Sequence, residues 1–101
     1  MDRKLIIAIV QPFLVDKIVA ALEAIEHFPG ITLTEAEGFG KKRKNSLDSP
    51  INPFHPKKQI EIAVVEEMVE PIVNAINKNA HTGKLGDGMI FILPIEQTIR
   101  I

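Results

Sequence analysis

The run Leu5-Ile6-Ile7-Ala8-Ile9-Val10 is apolar at every position, and its reading decides the fold. Strand side chains alternate between faces, so Leu5, Ile7 and Ile9 form one row and Ile6, Ala8 and Val10 the other. A strand apolar in both rows belongs at the centre of a sheet covered on each side. Gln11-Pro12 closes it. Val15, Ile18, Val19, Leu22 and Ile25 then recur at helical spacing, an amphipathic helix of about three turns. Pro29-Gly30 ends that unit.

Working outward, Ile31 to Phe39 alternates Ile31 and Leu33 with Thr32 and Thr34 and reads as a second strand. Gln59 to Val65 is a third, with Ile60, Ile62 and Val64 on one face. Val69, Ile72, Val73 and Ile76 mark a second helix, in which Pro71 is tolerated within the first turn. Met89 to Leu93 is a fourth strand, stopped by Pro94. The order β-α-β-β-α-β predicts an α+β, ferredoxin-like fold: both helices on one face of a four-stranded antiparallel sheet. The helix-free face keeps an apolar row, and little sequence after Pro94 is left to cover it. That predicts a contact with another subunit.

The 101 residues are expected to form one domain, 1–101. A net charge of −1 argues against wholesale nucleic-acid binding, and the lack of cysteine excludes disulfides and thiolate metal sites. The apolar N-terminal run is too short for a signal sequence, and no segment has the length of a membrane span. A cytoplasmic protein without direct membrane insertion is expected.

Two connections stand out. His81-Thr82-Gly83-Lys84-Leu85-Gly86-Asp87-Gly88 packs glycines where the backbone can turn N–H groups into one concavity beside a lysine. It reads as a phosphate-binding loop, although glycines before a strand commonly just make a turn. It is no Walker loop, because the lysine precedes the last glycines and a strand follows. Asp87 is read as a cap on backbone N–H groups. The second connection, 41–56, opens with Lys41, Lys42, Arg43 and Lys44 and carries prolines at 50, 53 and 56. Its length and composition predict a mobile, functional arm.

These residues resemble the PII signal-transduction family. The likeness runs from Lys4 to Arg100. It rests on Gln11-Pro12-Phe13, Thr32-Leu33-Thr34-Glu35, Gly38-Phe39-Gly40, Ile60-Glu61-Ile62, Thr82 to Gly88 before Ile90-Phe91, and Ile99-Arg100-Ile101. Phe28-Pro29-Gly30 and Ala80-His81-Thr82-Gly83 look more like the PII-like relatives found beside transporters, some of them heavy-metal efflux pumps, than like the nitrogen-regulating members.

The resemblance implies a homotrimer with its sheets facing inward and adenine nucleotide (ATP or ADP) in clefts between subunits. Thr82, Gly83, Lys84, Gly86, Asp87, Gly88 and Met89 would surround the phosphates, with Gly38, Phe39, Gly40 and Lys41 closing the cleft. Lys57 would reach a phosphate or an oxoacid, Arg100 would approach the phosphates, and Ile7, Thr32 and Val64 would line the adenine pocket. The arm 41–56, through Lys42, Arg43, Lys44, Phe54 and His55, would engage a regulated enzyme, regulator or membrane transporter.

Departures from the family pattern qualify this. Lys41-Lys42 replaces an Arg-Gln pair, and an ammonium cannot ligate Mg²⁺, which argues against sensing 2-oxoglutarate through Mg-ATP. Met89 replaces a lysine, and no second arginine follows Arg100. Each lost charge-assisted hydrogen bond is worth roughly 1.5–3 kcal/mol, so the two losses are expected to weaken binding by about a hundredfold or more. With no tyrosine in the chain, tyrosine uridylylation is ruled out.

Other functions on this topology fit poorly. RNA-recognition domains stack bases on aromatics of the first and third strands, and neither strand here has one. Acylphosphatase-like catalysis lacks its arginine and asparagine, and no nucleophile–base pair is apparent. His27, His55 and His81 are dispersed. A threefold trimer would gather three copies of His55, but Phe54-His55-Pro56 is read as a packing or partner contact and no metal site is assigned. The expected function is therefore a nonenzymatic, nucleotide-binding regulator. The alternative is a trimeric adaptor that has lost nucleotide sensing, linked to a metal-efflux or other transporter.

Overall fold

The computed structural model describes residues 2–40 and 54–101. Strands β1 (Arg3–Val10), β2 (Thr32–Gly38), β3 (His55–Val65) and β4 (Gly88–Ile95) form one antiparallel sheet in the order β2-β3-β1-β4. Helices α1 (Val15–Glu23) and α2 (Val69–Ala80) follow β1 and β3. The architecture is the α+β, ferredoxin-like one that the apolar periodicities imply. Lys41, Lys42, Arg43 and Lys44, and the connection 41–56 up to residue 53, lie outside the described residues.

Both helices are entered in the same way. A strand ends, a 3₁₀ turn follows (Pro12–Leu14 or Glu66–Met68), and the α-helix continues at Val15 or Val69. Neither has a side-chain N-cap; Asp16 and Glu70 instead stand in the first turns, where a carboxylate complements the positive helix end. One face of each helix lies on the sheet. Ile6, Ala8, Val10, Ile60, Ile62 and Val64 meet Val15, Ile18, Leu22, Ile72, Ile76 and Ala80 in a single core. Register explains the match: Ile6 stands opposite Ile62 and Ile92, and Ala8 opposite Ile60 and Ile90. Each fully buried isoleucine contributes roughly 1.5–3 kcal/mol.

Several boundaries differ from the periodicity. β3 starts at His55 rather than Gln59, because Glu35, Ala36, Glu37 and Gly38 of β2 pair with Lys58, Lys57, Pro56 and His55. His55 and Pro56 therefore belong to the sheet and not to the arm. Pro56 fits because β1 pairing ends at Lys58, leaving β2 as its only strand neighbour among the described residues. β4 runs through Pro94 to Ile95, as an edge strand allows. α1 ends at Glu23, and Ile25 packs on the core from the turn that follows.

The helix-free face is apolar across two strands, with Leu5, Ile7 and Ile9 in register with Leu93, Phe91 and Met89. Those three β4 residues are 40%, 49% and 59% exposed, the surface expected to meet another subunit. No helix among the described residues is long and apolar enough to cross a membrane.

Candidate functional site

Antiparallel pairing gathers four chain positions at one end of the sheet: Val10 ending β1, Gly88 starting β4, Gly38 ending β2 and His55 starting β3. α2 also ends there, at Ala80, so the glycine loop 81–87 is strung between α2 and β4 at this rim. Gly88 sits so close to β1 that a Cβ built on it would lie 1.9 Å from the Ile9 carbonyl oxygen, and its φ is +139°. Only glycine can occupy that position.

Two sets of contacts hold the loop. At its start, the Asp87 carboxylate accepts hydrogen bonds from the Thr82 N–H (2.6 Å), the Gly83 N–H (3.0 Å) and the Thr82 hydroxyl. The Thr82 hydroxyl oxygen accepts the Lys84 N–H at 3.3 Å, and His81 Nδ1 lies 3.7 Å from Asp87. The Thr82 hydroxyl and then the Thr82 N–H hold the Asp87 carboxyl below its ordinary value of 3.8; desolvation opposes them, and the Gly83 N–H and His81 add smaller lowering effects. Asp87 is thus a cap on the loop backbone, as its Gly-Asp-Gly setting suggested. At the other end, the Gly86 carbonyl (Gly86 φ +84°) accepts from Gln11 Nε2 at 2.8 Å and from Lys57 Nζ at 2.6 Å.

Beside this loop, on the helix-free side, Gly38, Phe39, Gly40, His55, Lys57, Gly86, Gly88 and Met89 share a cleft of about 290 Å³ with Ile9 and Phe91. The Phe39 and Phe54 rings lean together at its margin, centroids 5.4 Å apart and tilted by 44°. Asp87, Gly88 and Met89 also border a second hollow of about 270 Å³ against Asn77 and His81. The rim therefore joins most of the residues singled out from the sequence. Among the described residues the cleft combines the Lys57 ammonium, a glycine-rich backbone and apolar walls, a chemistry suited to an anion carrying an apolar or aromatic part.

Other expected residues sit elsewhere. Ile7 is one step further along the same face, and Ile9 takes the place at the cleft. Thr32 stands opposite Glu61 at the far end of β2, about 20 Å from Gly38 at ~3.3 Å per residue. Val64 is 2% exposed in the core on the helix side, so it shares no surface with Ile7 and Thr32. Arg100 follows the end of β4 that pairs with Arg3, about 23 Å along the strand from Gly88. Lys84 is exposed on the loop. Gln11 and Ile9 were the residues missed. The signal for them was position: both close the central strand, beside the rim where the glycine loop arrives.

The family model described as Nitrogen regulatory protein P-II matches residues 3–101. The chain belongs to the P-II family. It is 39% identical to the nitrogen regulatory protein P-II of Azospirillum brasilense and 41% identical to that of Bradyrhizobium diazoefficiens, in each case over 97% of this chain and 90% of the relative. It is 33% identical, with the same coverage, to the nitrogen regulatory protein GlnK of Escherichia coli. Among solved structures it resembles Arabidopsis thaliana PII bound to citrate, with a TM-score of 0.78 and 33% identity over 98% of this chain and 80% of that one. P-II proteins are signalling regulators rather than enzymes, bind adenine nucleotides and form homotrimers.

Proposed function

We propose that this P-II protein binds adenine nucleotide, ATP or ADP, at the rim cleft and regulates a partner protein through segment 41–56. The observation that carries the reading is the convergence of the Gly38–Gly40 backbone, the Lys57 ammonium and the glycine loop on one cleft. The loop's backbone and Lys84 would face the phosphates. Lys57 would take a phosphate or a polycarboxylate of the kind held by the Arabidopsis relative. At about 290 Å³ the cleft is small for a whole nucleotide, and Thr32 and Arg100 lie far from it along their own chain. Both are then supplied by a neighbouring subunit of a trimer packed through the helix-free faces. Mg²⁺ is not required, since Lys41-Lys42 offers it no ligand.

The partner segment is read from sequence: four basic residues, then spaced prolines, leading to Phe54, which packs on Phe39, and to His55 at the cleft. Such a segment suits an acidic surface on an enzyme, regulator or transporter. Met89 favours a second reading, since it brings a 59% exposed apolar side chain into the cleft. In that case the trimer is an adaptor without nucleotide sensing. Thermal melts separate the two. A nucleotide at a hundred times its dissociation constant stabilises the folded state by ~2.7 kcal/mol and raises Tm. A Tm unmoved by millimolar ATP, ADP or AMP would leave the adaptor.

A further inference from the structure

The contacts at the two ends of the glycine loop do more than shape a turn. A carboxylate already fills the N–H groups of Thr82 and Gly83, and a second anion at those amides would meet its charge at contact distance. The first part of the loop therefore carries its own anion. Further on, the Gly86 carbonyl is drawn toward Gln11 at the end of β1 and Lys57 of β3. In a planar trans peptide the C=O and the following N–H point in opposite directions, so these two donors also fix the Asp87 N–H, aimed away from them.

We infer that Asp87, through its side chain, and Gln11 are positioning residues that preset the glycine loop, so that an incoming phosphate is gripped only by amides beyond Lys84. This rests on the nucleotide reading above for its ligand, though the preset state itself exists without one. Several features support it. Asp87 ties to three groups of residues 82 and 83, and its side chain is only 18% exposed, although the loop around it is largely solvent-facing. Gln11 is a neutral donor beside the Lys57 ammonium on one carbonyl. If Lys57 turns to a ligand, Gln11 still keeps the carbonyl in place. A loop held before binding loses less conformational freedom when the ligand arrives.

Residue-resolved amide hydrogen exchange tests this on the full-length protein, free and with ATP. In the free protein, Asp87→Ala should speed exchange at Thr82 and Gly83 by about tenfold or more, and Asp87→Asn, which retains one acceptor oxygen, by less. Gln11→Met, similar in shape but without a donor, should speed exchange at residues 86–88 and leave Thr82 and Gly83 as they were. Adding ATP to the wild-type protein should protect residues 85–88 and leave Thr82 and Gly83 unchanged. Wild-type exchange at Thr82 and Gly83 in a folded Asp87→Ala protein would overturn the inference, as would new protection of those two amides by ATP. If ATP protects nothing, the nucleotide reading fails by itself, and the comparison of free proteins alone decides whether the loop is preset.

Discussion

Gly83 within the loop and Gly88 at its junction with β4 are glycines for different physical reasons. A methyl group at Gly88 would collide with the Ile9 carbonyl and force β4 away from β1, whereas at Gly83 nothing lies within 4 Å and only its φ of +88° resists a side chain. Gly88→Ala should therefore cost ~3 kcal/mol or more, and Gly83→Ala ~1–2 kcal/mol, in urea denaturation. Asp87 makes a prediction about pH. Its carboxyl is held below 3.8, so the folded protein binds that proton less readily than the unfolded chain. Its stabilisation is complete above about pH 5 and disappears as pH falls below 3.8 through the lowered folded value. The Tm gap between wild type and Asp87→Asn should be widest near neutrality and close in acid; a gap constant with pH would contradict this.

At the scale of elements, stability resides where the helices meet β1 and β3. Ile76 is fully buried there, and Ile76→Ala should cost ~2–5 kcal/mol in the same denaturation. The strongest periodicities in the sequence come from this packing, which is why all six elements were legible. Their ends were less so. Lys57-Lys58 has no apolar pattern, and strand pairing, of both residues with β2 and of Lys58 with β1 as well, makes it strand; Pro94 looks like a stop until β4 proves to be an edge. The candidate site divides in the same way. The glycine loop announced itself by composition, because its strained backbone needs those residues. Gln11 and Ile9 did not, because register rather than residue type brings them to the rim. Strand alternation puts Val64 in the core, while Ala63 shares the helix-free face with Leu5.

For the whole molecule, the proposal that subunits complete each other's clefts accounts both for the apolar helix-free face and for Thr32 standing at the far end of β2 from the rim. Leu93→Glu places a carboxylate on that face away from the cleft, and burying one per subunit without a partner is prohibitive. Sedimentation should show this variant dissociating to monomers and, with its clefts incomplete, losing nucleotide affinity along with assembly. The most direct test is calorimetric titration of the assembled wild-type protein with ATP, ADP and AMP, with and without Mg²⁺. Saturable heat at one nucleotide per subunit, insensitive to Mg²⁺ and greatly weakened by Lys57→Ala, is the predicted result. No heat at millimolar nucleotide from a protein that sediments as a trimer would contradict it.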